Sequence, residues 1–214
     1  YAVGVRIGRR AVCPGQEGRR KEIRIMELKC MRWQGYARKN GTKGIRNRIL
    51  VIYTVKCSEF VARRICEEAN HTDVEVLGFD GCTDNQYAVN LLISLIRHPN
   101  VGGVLAVGLG CEYVQPKWLA EIAEKEGKEA DWMFIQDVGG TRRAIEKGLA
   151  SVHAMRERLK NTPRVEMGFS DLVIGAECGG SDYTSGLAGS RRGRSFATPT
   201  TRRWNTANPC ASIR

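Results

Sequence analysis

Between residues 48 and 178 the sequence alternates short β-branched and aliphatic runs with longer stretches of helical spacing, and that alternation leaves few folds open. RILVIYTV (48–55), VEVLGF (74–79), VGGVLAVGLG (101–110), DWMFIQ (131–136) and DLVIGAEC (171–178) are the five apolar runs. Between them lie SEFVARRICEEAN (58–70), NQYAVNLLISLIRH (85–98), QPKWLAEIAEKEG (115–127) and TRRAIEKGLASVHAMRERLK (141–160). In the first of these, Phe60, Val61, Ile65 and Cys66 share one helical face, and Arg63, Arg64, Glu67 and Glu68 lie elsewhere. Pro99 stops the second, while the third has Pro116 near its first turn and Gly127 at its end. Strands that alternate with helices pair in parallel, because each helix returns the chain across the sheet. Strands covered on both faces read as near-continuous apolar runs. The expectation is an α/β fold: an open three-layer sheet, mostly parallel, of about five strands with helices on both faces.

The two ends depart from this pattern. The formal net charge is +11. Residues 1–30 hold eight Lys/Arg against Glu17, Glu22 and Glu27, an excess of +5; residues 190–214 hold six Arg and no acid, so residues 31–189 sum to zero. A basic chain invites a nucleic-acid reading. An excess confined to ends without an apolar stripe is more often a solvated or poorly ordered segment. The expected organisation is a poorly ordered basic segment over 1–30, an α/β domain over 31–189 and a basic low-order tail over 190–214. Nucleic acid is not expected as a partner, and weak polyanion binding through the ends is a minor alternative. The tail differs so much from the domain that a truncated or shifted reading frame is expected there. No run approaches the ~20 apolar residues of a membrane span, and the first thirty residues lack the apolar stretch of a secretory signal. The expected setting is cytoplasmic, with no membrane partner.

Ligands of an open parallel sheet sit beyond the C-terminal ends of its strands. The residues there are Lys56-Cys57-Ser58, Asp80-Gly81-Cys82-Thr83-Asp84, Gly110-Cys111-Glu112, Gln136-Asp137 with Gly139-Gly140-Thr141, and Cys178-Gly179-Gly180-Ser181-Asp182. Four of the five ends hold a cysteine. A single Cys after a strand is usually a small buried hydrophobe; four at equivalent ends point to a functional cleft. Eight Cys in a chain without a secretory signal or a CxxC pair do not suggest a disulfide scaffold or a zinc ribbon. Thiolates mixed with carboxylates suit a soft divalent metal such as Fe(II) or Zn(II). Gly-Gly pairs that open helices bring backbone N–H groups to an anion. GLGCEY lacks the third glycine of a dinucleotide fingerprint and no GxxxxGK[ST] occurs, so no nucleotide cofactor is expected. His71, His98 and His153 fall away from the strand ends, and Cys66 reads as packing. GYARKNGTKGIRN (35–47) reads as a basic turn before the first strand, with Arg46 and Asn47 as candidate contacts for a carboxylate substrate.

GYARKNGTKGIRNRILVI, GFDGCTDNQYA, HPNVGGVLAVGLGCE, IQDVGGTRRAIEKG and CGGSDYTSGLAG, in that order over about residues 35–189, together resemble the altronate/galactarate dehydratase family. The resemblance implies a lyase acting on a 2-hydroxy acid. Its dehydratase members remove water from hexonate-type acids to give 2-keto-3-deoxy acids, and a sulfo-lyase branch removes sulfite from sulfolactate to give pyruvate. GFDGC carries no His where dehydratase members have one, which points to the sulfo-lyase branch. The implied chemistry takes the C2 proton, expels the group on C3 and lets the enol tautomerise. A divalent metal, Fe(II) foremost, would stabilise the enolate charge. The candidate catalytic residues are Glu112 and Cys111. Arg46, Asn47, Gly139, Gly140, Thr141, Gly179, Gly180, Ser181 and Asp182 are the candidate substrate contacts, and Cys82, Cys111 and Cys178 the candidate metal ligands. A small partner subunit or further domain is implied. The chain leaves the family pattern after Gly189, so a truncated fragment that keeps a metal- or anion-binding cleft without turnover is the alternative.

Overall fold

The computed structural model describes residues 32–172. Residues 34–166 form one compact unit, to which the following description applies unless stated. The elements are β1 (Trp33–Ala37), β2 (Lys43–Gly44), β3 (Arg48–Tyr53), α1 (Lys56–Ala69), β4 (Val74–Gly78), α2 (Gln86–Arg97), β5 (Val101–Gly108), α3 (Pro116–Lys125), β6 (Glu129–Phe134), α4 (Ile135–Val138), α5 (Thr141–Leu159) and β7 (Arg164–Met167). Met167 onward belongs to a second unit, whose described part holds a 3-10 turn at Phe169–Asp171.

The main sheet is parallel throughout, in the order β4-β3-β5-β6. Its residues alternate cleanly between two cores. Ile49, Val51, Leu105, Val107 and Met133 pack with Val61 and Ile65 of α1 and with Ala144, Val152 and Met155 of α5. Leu50, Ile52, Val104 and Ala106 pack with Leu92 and Ile96 of α2 and Leu119 and Ala123 of α3. The expected three-layer α/β arrangement is therefore present, with four parallel strands described. The fifth expected run opens in the 3-10 turn, and its residues 173–178 lie outside the described residues, as do the segments 1–30 and 190–214.

Two elements differ from the sequence reading. The stretch 35–47 is a hairpin rather than a plain turn: β1 and β2 pair antiparallel with Tyr36 opposite Gly44 and Ala37 opposite Lys43, and β7 lies on the other side of β1. The hairpin was illegible because WQGYA has no run of β-branched residues. The strand expected at 131–136 instead starts at Glu129, and Ile135 and Gln136 turn into α4. Gly139, at φ 93°, ends that short helix in the left-handed region that favours glycine.

The C-terminal end of α2 is held by two cations. The buried Lys128 ammonium donates to Ile96 O and, at 2.8 Å, to His98 O, and Arg38 Nε donates to Pro99 O at 2.6 Å. These satisfy carbonyls that the helix end leaves unpaired. Burial pushes the Lys128 ammonium down from 10.5 to about 8, with the nearby Arg38 charge adding to the effect. Between those two values the unfolded chain still binds a proton that the folded chain has released, so stability rises with pH across that window. Urea unfolding from pH 7.5 to 10.5 should show this rise, relative to Lys128→Met, in which the Lys128 contribution to the slope is absent. Equal slopes in the two proteins would contradict it.

Candidate functional site

The chain runs from β3 outward to β4, then returns to the other side of β3 for β5. Helix α1, which follows β3, packs on one face, and α3, which follows β5, packs on the other. The crevice between the ends of β3 and β5 is thus the topological switch point, the place where open α/β sheets bind ligands.

Glu112 is buried there, only 3% exposed, and both its carboxylate oxygens turn inward. Oε1 accepts from Thr54 Oγ1 at 2.7 Å and from the Leu109 N–H at 3.0 Å, and Oε2 accepts from the Gly110 N–H at 2.8 Å. A buried carboxylate is tolerated only with such donors. Gly108 makes room, since a Cβ there would lie 2.0 Å from Glu112 Oε1. Gln115 Nε2 donates to the Glu112 carbonyl at 2.6 Å. Beneath, Ser58 Oγ donates to carbonyls at the sheet end, with Val55 O at 2.9 Å and Val107 O at 3.0 Å. The Gly110-Cys111 turn is therefore clasped to the end of β5 while the Cys111 thiol stays exposed. Among the described residues, Glu112 has no cation partner.

Neighbouring strand ends are laced to this turn. The Tyr113 N–H donates to Cys82 O at 3.1 Å, bringing the loop after β4 beside the loop after β5. The Gln136 N–H donates to Leu109 O at 3.3 Å, which ties in the end of β6. At the end of β4, Asp80 accepts from the Tyr53 hydroxyl at 3.1 Å and lies 3.4 Å from Lys56 Nζ, which also pairs with Glu59 at 2.5 Å. Burial, then the Asp80 carboxylate, raises the Tyr53 phenol above its usual value.

The start of α5 offers backbone donors. Its N-cap is Gly140, at φ 100°, which supplies no capping side chain. The first helical hydrogen bond is Ala144 N–H to Gly140 O at 3.0 Å, so the N–H groups of Thr141, Arg142 and Arg143 have no partner within the helix. Gly139 and Gly140 donate instead to Gln136 O and Ile135 O, which narrows the expected GGT anion contact to Thr141 and its successors. Arg143 folds back over Gly139, where a Cβ would come within 3.0 Å of its NH1.

Cys57, Cys82 and Cys111 are exposed thiols on residues at three strand ends. Cys66 is half-buried against the α1/α5 core, and burial pushes its thiol up to about 11. Iodoacetamide should therefore label Cys66 at least about tenfold more slowly than the other three, as peptide mass mapping would read; equal rates would contradict this placement. Arg46 and Asn47 are not brought to the set. They precede β3 and so lie at the opposite edge of the sheet. There Asn47 accepts from Arg38 NH1 at 2.9 Å and donates to Leu159 O at 3.2 Å and Thr162 Oγ1 at 3.0 Å, while Arg46 O accepts from Arg38 NH2 at 3.0 Å. Cys178, Gly179, Gly180, Ser181 and Asp182 lie outside the described residues. Among the described residues no three His, Cys, Asp or Glu side chains are grouped so as to hold a metal, and no helix is long and apolar enough to cross a membrane. Sequence reasoning missed Thr54 and Gln115; Thr54 was visible only as a hydroxyl inside an otherwise apolar run.

Fold and crevice together define an α/β domain with a topological switch point at its strand C-termini. The chain belongs to the D-galactarate dehydratase/altronate hydrolase family, whose second-domain profile matches residues 35–160. It is 31% identical over 169 residues to altronate dehydratase from Bacillus subtilis (strain 168) and 32% identical over 172 residues to altronate dehydratase from Escherichia coli (strain K12). Each alignment covers 72% of this chain and 33% of the relative. Identity to the (2R)-sulfolactate sulfo-lyase subunit beta of Chromohalobacter salexigens is 26% over 169 residues, covering 75% of this chain and 41% of that one. The chain thus spans about a third of the length of the altronate dehydratases it matches. No solved structure gives a significant match.

Proposed function

We propose that the C-terminal edge of the sheet binds a 2-hydroxy acid and forms part of a lyase site that eliminates water or sulfite from it, giving a 2-keto acid. The observation that carries this reading is the clasped Gly110-Cys111 turn at the switch point. The relatives named as altronate dehydratases and a sulfolactate sulfo-lyase subunit support the reaction class. The acid's carboxylate lies at the start of α5, on the free N–H groups of Thr141, Arg142 and Arg143, where the helix dipole favours an anion. The Arg143 side chain, folded over Gly139, adds a positive charge beside it. Cys111 reaches solvent at the crevice and is placed as the group that takes the C2 proton. Glu112, held by its three donors, is a positioning residue that fixes the turn carrying Cys111.

A divalent metal, Fe(II) foremost, would supply charge stabilisation to the developing enolate. With Cys111 acting as the base, Cys82 is the remaining candidate thiol for it, and no three such donors are grouped among the described residues. The described residues thus do not assemble the metal's site. A partner subunit or domain and a cytoplasmic setting belong to the same reading, the former because one relative is named as a beta subunit.

The test incubates the chain with Fe(II) and, separately, altronate, galactarate and (2R)-sulfolactate, and reads 2-keto acid as its semicarbazone. Keto acid is expected from at least one acid, with Cys111→Ser lowering kcat about 100-fold or more. Acid binding without keto acid would contradict the lyase assignment, and no binding at all would contradict the site.

A further inference from the structure

A cavity of about 450 Å³ opens at the edge of the sheet opposite the crevice. Its lining includes Arg38, Lys39, Gly102, Gly127, Glu129 and Arg158. The two edges are separated by the length of β5, from Val101 to Gly108, or roughly 23 Å at ~3.3 Å per residue.

The charges around this cavity do not balance. Glu129 is engaged by Arg158, and Glu126 by Arg97 at 3.0 Å. Arg38 and the neighbouring Lys128 are cations whose hydrogen bonds go to carbonyl and amide oxygens, and neither pairs with a carboxylate. Their mutual repulsion contributes to the depressed Lys128 ammonium. Lys39 has no hydrogen-bond or ion-pair partner among the described residues. Its stem is fixed nonetheless. Gly127, at φ 72°, closes the end of α3, and a Cβ there would lie 2.9 Å from both Lys39 Cβ and Cδ. The glycine that the turn requires thus also lets the lysine stem lie across the cavity rim. Gly102 keeps the floor low in the same way, since a Cβ there would lie 2.1 Å from Asn47 Oδ1. Two cations of the lining, Arg38 and Lys39, have no carboxylate partner, and around a concave site of ligand size they call for an anion.

We propose that this cavity is a second binding site, distinct from the strand-end crevice, for a small anion bearing a carboxylate or phosphate group, with Lys39 as its principal charged contact. Arg38 sets the local potential while remaining tied to the backbone. Arg158 becomes available to the ligand when it swings from Glu129.

Calorimetric titration of the whole chain with inorganic phosphate and, separately, with citrate tests this, and the probe that binds tells which anion chemistry the cavity takes. Saturable binding of at least one probe is expected. Lys39→Ala should weaken it about tenfold or more, the loss of one charged contact, and Glu129→Gln should strengthen it by releasing Arg158. Lys117→Ala, an exposed lysine on α3, should change nothing. Absence of binding by both probes would overturn the proposal. So would binding that Lys39→Ala leaves unchanged, because the anion would then be taken elsewhere, by the strand-end crevice or the basic ends.

Discussion

Glu112→Ala should lower stability by about 3 kcal/mol, a fall in Tm of roughly 6–12 °C for a chain of this size. The substitution leaves the Leu109 and Gly110 N–H groups and the Thr54 hydroxyl facing an empty space at the end of β5. Each buried donor without an acceptor costs about 1–3 kcal/mol, and water entering the vacated volume recovers part of that. Glu112→Gln should fall between the two, since one carboxylate oxygen becomes an amide that cannot accept the N–H it faces. Thermal unfolding followed by circular dichroism checks the stability. A second reading separates positioning from simple support: the rate of Cys111 alkylation should change by several-fold in Glu112→Gln while that of Cys57 does not. Unchanged stability in Glu112→Ala, or equal changes at the two thiols in Glu112→Gln, would contradict the clasp.

The second large effect lies in the core between α1, α5 and β6. Ile65 is fully buried, and its side chain lies against Gly148, where a Cβ would come within 2.3 Å of Ile65 Cδ1 and 2.9 Å of Met133 Cε. Helix α5 approaches α1 this closely only because position 148 has no side chain. Ile65→Ala should cost about 3–4 kcal/mol through lost burial and a residual cavity. Gly148→Val should cost about 2–3 kcal/mol by overpacking. Combined, each change relieves the other, and the double variant should cost at least about 1 kcal/mol less than the sum. Urea denaturation of the three proteins measures this. Strict additivity would contradict the contact.

The parallel sheet was legible because its strands are buried on both faces and so read as unbroken apolar runs, with Pro99 and Pro116 marking helix boundaries. The β1–β2 hairpin was not, since its strands are short and its stabilising contacts, such as Arg38 to Pro99 O, span distant parts of the chain. The same distinction governs the site. The strand-end rule put Cys57, Cys82, Cys111, Glu112 and Thr141 at one edge of the sheet because it needs only the order of the elements. It said nothing about where a side chain turns. Glu112 looked like a base or ligand beside a thiol, and its inward orientation depends on Thr54, almost sixty positions earlier. Arg46 and Asn47 were drawn in by residue type alone, and their position before β3 puts them at the edge opposite the crevice. The Gly139-Gly140-Thr141 stretch was correctly placed at a helix start, but the two glycine N–H groups close α4 and are not free.

The most direct test of the account follows backbone amide resonances as altronate or (2R)-sulfolactate is added. Saturable shifts are expected, concentrated at Gly110, Cys111, Thr141, Arg142 and Arg143 and lost in Arg143→Ala at the same ligand concentration. Shifts confined to the opposite edge, around Lys39, Gly102 and Gly127, or an absence of shifts with both acids, would contradict it.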